Sequence, residues 1–219
     1  MSARRRWPAA LALAVVIAGL LALGTWQVQR LAWKRALIAQ VEGRVHAAPV
    51  APPLTIGGAD DAYLRVAVRG RYLPADTYVR AVTERGAGFW VLTPLATDDG
   101  RTILVNRGFR PTRDAAPQTD AVRVVGLLRV TEPGGGFLQS NQPAADRWFS
   151  RDVAADATRR GLGPVAPYFI DAEATAPGAR MPVGGLTVVR FPNNHLVYAL
   201  TWYALAAMAA FALFRLVRS

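Results

Sequence analysis

Two long apolar runs stand near the ends of the chain, and short alternating runs fill the space between them. Ala9 to Val28 reads AALALAVVIAGLLALGTWQV. At the helical rise, twenty residues span ~30 Å, the thickness of a bilayer core. The basic stretch MSARRR before it is like the start of a signal peptide, but the run is longer than a signal's apolar region. No convincing A-x-A cleavage site precedes the charged segment, so an uncleaved anchor is expected. The second run, Leu196 to Phe214, ends in Arg215 and Arg218.

Between them the period changes from helical to two. In YLRVAVRG, Leu64, Val66 and Val68 share one face while Arg65 and Arg69 take the other; RTILVNRGF repeats the pattern with Ile103 and Val105. VRVVGLLRV, from Val122 to Val130, reads as a third strand. TYVRAV, GFWVLTPL, PYFID and LTVVR are weaker candidates. Turn signals fall at Ile56-Gly57-Gly58, Asp98-Asp99-Gly100 and Pro133-Gly134-Gly135-Gly136. Helix is expected in the continuation of the first run through Val41 and near Arg151 to Arg160.

The pattern predicts an α+β membrane protein in which two transmembrane helices flank a small antiparallel β-rich extracytoplasmic domain, barrel-like or an open sheet. Its expected parts are a cytoplasmic tail (1–8), a transmembrane helix (9–28), the β-rich domain (29–192), a second transmembrane helix (193–214) and a cytoplasmic tail (215–219). Arg4, Arg5, Arg6, Arg215 and Arg218 lie at one pair of span ends; Arg30, Lys34, Arg35 and Arg190 lie at the other. The bias is slight, and it places both termini in the cytoplasm.

Composition narrows the chemistry. The chain of 219 residues carries a formal charge of +11, almost all of it from arginine, since Lys34 is the only lysine. The arginines are dispersed, without the clustered basic face of a nucleic-acid binder, and suit an anionic lipid surface or an acidic ligand better. There is no cysteine, which excludes disulfides, thiolate metal sites, iron–sulfur clusters and cysteine nucleophiles. Two histidines cannot build a three-histidine zinc site. No nucleophile motif, acid pair or metal cluster points to an enzyme.

Two stretches are candidates for a site. Trp26, Arg30, Trp33 and Leu37 form one helical stripe, which suits either an aromatic belt at the membrane interface or a surface for a planar amphipathic ligand. In the latter case Arg30 and Lys34 would meet acidic groups. The second is NNHLVYALTW. Asn193 or Asn194 suits an N-cap, and His195, Tyr198 and Trp202 share a helix face with Thr201 close by. An ionisable group at the edge of a span is either an interfacial hydrogen-bonding residue or a ligand. His46, in VHAAPVAPP, reads as a surface histidine; NRGF reads as a turn with an exposed cation, and SNQP as a loop.

Taken together, GTWQVQRLAWKRALI and NNHLVYALTWYALA resemble the Surfeit locus protein one family of cytochrome oxidase assembly factors. YLRVAVRGRYLP, TPL, ILVNRGFRP and PYFID match the family in order between them. The departures are Phe109, where the family often has tryptophan, and the Gly134–Gly136 turn.

The resemblance implies a two-span protein that is not an enzyme and that assists binding of haem a and its delivery to the large catalytic subunit of a haem-copper cytochrome c oxidase. It implies His195 as a ligand to haem iron. Trp26, Trp33, Tyr198 and Trp202 would stand around the ring, and Arg30 and Lys34 toward its propionates. Haem a synthesis enzymes and membrane lipids are the other expected partners. A bacterial inner membrane with a periplasmic domain is the expected location, because no longer transit peptide precedes the first span. Two alternatives stand beside this: a membrane chaperone of the large subunit that never touches haem, and an extracytoplasmic small-ligand sensor or transport accessory.

Overall fold

The computed structural model describes residues 3–56, 58, 61–114, 118–174, 181–187 and 191–218, with side chains from Trp7 onward. Two compact units result, Met1–Val41 with Arg190–Ser219, and Glu42–Val189. Arg190, the end of LTVVR and Gly57 fall outside the described residues, as do the side chains of Arg4, Arg5 and Arg6.

The first unit rests on α1 (Ala3–Val45) and α3 (His195–Arg218), both long and apolar enough to cross a membrane. At 43 residues α1 is about 65 Å long and overruns a bilayer, so the expected continuation past Val28 is present. Residues 29–45 are therefore helix, and the compact unit that holds the strands begins at Glu42. On α1 the covered positions from Leu13 to Val41 are Leu13, Ile17, Leu20, Gly24, Gln27, Leu31, Lys34, Ile38 and Val41, with Leu37 beside them. On α3 they are His195, Ala199, Trp202, Ala206, Ala209, Leu213 and Leu216. Alternating steps of three and four are the 3.5-residue period of a left-handed helix pair.

The contacts Lys34·Phe191, Gln27·His195 and Gly24·Tyr203 run in opposite order along the two helices, which makes the pair antiparallel. Gly24 is required where it stands: a Cβ there would lie 2.7 Å from the Tyr203 ring, whose hydroxyl is 3.2 Å from Thr25 Oγ1. Small residues allow this approach in the absence of a hydrophobic drive between membrane helices. The outward faces carry Leu11, Val15, Val16, Leu200 and Phe211, as a lipid-facing surface must.

The second unit contains β1 (Arg65–Tyr72), β2 (Thr77–Thr83), β3 (Gly86–Thr97), β4 (Thr102–Arg110) and β5 (Ala121–Val130). It continues with the short β6 (Gly135–Gly136) and β7 (Gln139–Ser140), α2 (Val153–Arg160) and β8 (Tyr168–Ala172). Strands pair in the order β1-β5-β8-β4-β3, and β1 also pairs with β3, so five strands close a barrel and β2 extends it beyond β3. All neighbours are antiparallel except β4 and β8. The barrel alternative of the predicted sheet is therefore the one realised.

Closure depends on Gly70, where β1 meets both β5 and β3. A Cβ at Gly70 would sit 2.2 Å from the Ala96 carbonyl oxygen. Glycine is the residue that lets a strand turn such a corner.

Val66, Leu95, Ile103, Val105, Leu128 and Ile170 fill the interior, so the alternation read from the sequence is the inward face. Leu104, with the opposite parity, is buried as well, against Val79, Trp148, Val153 and Phe169. That outer layer includes α2, which starts at Asp152, whose carboxylate accepts from Ala155 N, and ends at Gly161 with φ 65°. Asp98-Asp99-Gly100 forms the expected turn between β3 and β4, with Gly100 at φ 85°.

Two expectations change. NRGF lies inside β4, and Arg107 is covered: it pairs with Asp76 at 3.7 Å, donates to Gln118 and stacks on Tyr72. Leu186 and Thr187 are not strand; Thr187 donates to Asp171 instead. Asp171 also accepts from Asn106 at 2.8 Å, Arg129 at 2.9 Å and Arg151 at 3.2 Å. PYFID and NRGF thus meet at one buried carboxylate with its lone pairs occupied, the arrangement that lets a charge stay inside a protein.

Two outcomes test this fold. Gly70→Ala should destabilise the barrel by about 3 kcal/mol, in the upper range for overpacking, measured by denaturant unfolding of the full chain in detergent. Burial pushes the Asp156 carboxyl up to about 6, although Thr77 donates to it and Arg160 stands 3.6 Å away. A folded-state value above the ordinary 3.8 means the ionised form costs stability at neutral pH; that cost shrinks as pH falls below about 6 and is gone below the ordinary 3.8. Relative to Asp156→Asn, the wild type should therefore gain stability between about pH 6 and pH 4, followed by melting in detergent.

Candidate functional site

The residues singled out by sequence divide between two faces of the helix pair. Trp26, Arg30 and Trp33 do form one stripe, and it is exposed, pointing away from the seam. The Arg30 guanidinium lies 4.4 Å from the centroid of the Trp33 ring. An indole belt with a stacked cation is the side-chain pattern of a membrane–water interface. Tyr198 is also exposed.

Lys34, His195 and Trp202 lie on the seam. The Lys34 ammonium stands 5.3 Å from the Phe191 ring centroid. His195 is half-buried in the first turn of α3, with Nδ1 2.7 Å from Oε1 of Gln27; its Nε2 has no partner among the described residues. Trp202, two turns further along the same face, is half-buried with its indole Nε1 covered and not hydrogen-bonded. A covered N–H without an acceptor is costly.

The asparagines play less of a capping part than their identity suggests. The carbonyl of Asn194 accepts from Tyr198 N and so opens the helix, the backbone role of an N-cap. Among the described residues neither asparagine side chain caps a backbone N–H, and Asn193 Oδ1 is buried without a partner. His195, Trp202 and Asn193 thus leave three polar groups with unused bonding capacity along the first turns of α3 and the residues just before it.

Gln27 is the residue that sequence reasoning missed. It is 9% exposed and sits three residues after Gly24 and four before Leu31, a polar side chain in an apolar heptad seam. The signal is the spacing in GTWQVQRL, where Gln27 falls in step with the covered positions Leu20, Gly24 and Leu31. His46 lies in the other unit and is exposed, as read. The barrel has its own groove of about 950 Å³, with Tyr72, Arg107, Arg110, Arg123, Asp120 and Glu173 in its walls.

Comparison with known proteins places the whole arrangement. The model of the SURF1 family matches residues 14–207, from within α1 to within α3. Surfeit locus protein 1 of Rattus norvegicus is 39% identical over 222 residues, covering 88% of this chain and 70% of the rat protein. The Homo sapiens protein of that name is 39% identical over 223 residues, covering 88% of this chain and 72% of its own length. A SURF1-like protein of Monosiga brevicollis is 37% identical over 209 residues, with 85% and 78% covered. With the barrel and parts of both helices inside one match, the chain belongs to the SURF1 family.

Proposed function

We propose that this protein holds haem a at the start of α3 and passes it to the large catalytic subunit of a haem-copper cytochrome c oxidase. Family membership supports a role in cytochrome c oxidase assembly. The single observation that carries the haem reading is His195, half-buried on a membrane helix with Nε2 unengaged among the described residues.

The residues present fit such a group. Imidazole is an ordinary axial ligand for haem iron, which in its final site supplies the oxidase's electron-transfer and oxygen chemistry. The covered Trp202 N–H offers a donor to a ligand oxygen. Lys34, on the same seam as His195, supplies a cation for a propionate, and Tyr198, exposed one turn from His195, supplies aromatic surface; Trp26, Arg30 and Trp33 lie on the outward stripe. One imidazole with no second ligand assigned suits temporary holding: a group to be released is better held by few strong bonds. The chain's own task is then to bind, to orient and to let go, an assembly role and not a catalytic one.

Both termini are placed in the cytoplasm and the barrel on the opposite side of the membrane, in keeping with Arg215 and Arg218 in the last turn of α3. The oxidase large subunit, haem a synthesis enzymes and membrane lipids are the partners this topology admits.

The test is to co-express the full chain with haem a synthesis enzymes, purify it and record its visible spectrum. Stoichiometric haem a is expected, with at least a tenfold loss of occupancy in His195→Ala. Protein free of haem under adequate supply would overturn the reading, and co-purification of the large subunit with that apo protein would favour a chaperone that never touches haem.

A further inference from the structure

We infer that Gln27 is a positioning residue that keeps the His195 proton on Nδ1 and so reserves Nε2 as the atom free to ligate. The 2.7 Å contact joins His195 Nδ1 to the amide oxygen of Gln27. An amide oxygen has no proton to give, so the imidazole nitrogen is the donor. Neutral imidazole carries one N–H and one lone pair, and a proton held on Nδ1 leaves the lone pair on Nε2.

The seam gives this hydrogen bond its authority. Gln27 is 9% exposed, on a covered stripe between Gly24 and Leu31, and it belongs to a helix of 43 residues. Gly24 and Thr25, one turn before it, are engaged by Tyr203 from α3, which fixes the register of the two helices beside the pair. Rotating the amide away would leave a covered oxygen and an imidazole N–H unmatched where water is scarce, a costly pair of vacancies. A partner that holds the second nitrogen of a metal-binding imidazole sets its tautomer and aims its ring. Gln27 performs that task with a neutral acceptor. The ring is therefore oriented without a carboxylate that would add charge inside the helix pair.

The functional weight of this inference rests on the proposed haem-holding role, but the tautomer does not. The full chain, without haem, in detergent or nanodiscs, should be labelled with ¹⁵N-histidine and studied by long-range ¹H–¹⁵N correlation. The His46→Gln variant identifies the His195 signals, since the chain has two histidines.

The expected wild-type pattern is a protonated Nδ1 and a lone-pair Nε2. Gln27→Leu should move it toward the Nε2–H form that free imidazole side chains favour in water, and Gln27→Glu, which keeps an acceptor, should retain Nδ1–H. Nε2–H in the wild type, or a Gln27→Leu spectrum identical to wild type, would overturn the inference. Haem a loading then separates the two ideas. Nδ1–H without haem binding sinks the haem role alone; haem binding with Nε2–H sinks the Gln27 role alone. Where both hold, Gln27→Leu should retain haem about tenfold less well, the ordinary effect of losing such a partner.

Discussion

An imidazole and a side-chain amide are costly to leave unmatched between helices in a bilayer, and in this protein those two groups answer each other. The hydrogen bond between Gln27 and His195 lies on a seam that is otherwise largely built from Leu, Ile, Val and Ala side chains. A polar position of that kind specifies register, because sliding either helix by one turn separates the pair. Gly24 beneath the Tyr203 ring specifies the same register by shape. The site proposed for haem a depends on this alignment: it places the histidine at the beginning of α3, on the same face as Trp202.

The barrel obeys a different constraint. Five strands close only because β1 pairs on both edges around Gly70, and β8 enters parallel to β4 so that Asn106 and Asp171 come level. Two arginines, an asparagine and a threonine then satisfy one buried carboxylate. Replacing one partner of such a cluster leaves a charge stranded, which is why these residues read as fold-specifying and not as a ligand site. ILVNRGFRP and PYFID, matched to the family at the level of sequence, acquire a structural meaning in that contact.

Much of this was legible in the chain. The period of two in YLRVAVRG and RTILVNRGF marked the inward face of the barrel, and the two apolar runs marked the helices, because periodicity reports burial directly. What the period cannot show is what covers the other face. Arg107 looked like an exposed cation because nothing local reveals that Asp76, Gln118 and Tyr72 gather over it. Trp26, Arg30 and Trp33 were correctly read as a stripe, but helical spacing does not say which stripe faces a partner; that is decided by the small and polar residues Gly24 and Gln27. His195 was legible as the residue to watch, and its own partner, 168 positions away in the chain, was not.

The pairing of α1 and α3 through Gln27 and His195 is the claim from which the rest follows, and the absence of native cysteines makes it accessible. Membranes containing Gln27→Cys/His195→Cys should be treated with a short bifunctional thiol reagent and compared with Trp26→Cys/His195→Cys. The extent of intramolecular cross-linking can be read after cleavage of the barrel by protease. Efficient cross-linking at 27·195 with little at 26·195 is the predicted result. Equal cross-linking of the two pairs, or a preference for 26·195, would contradict the account.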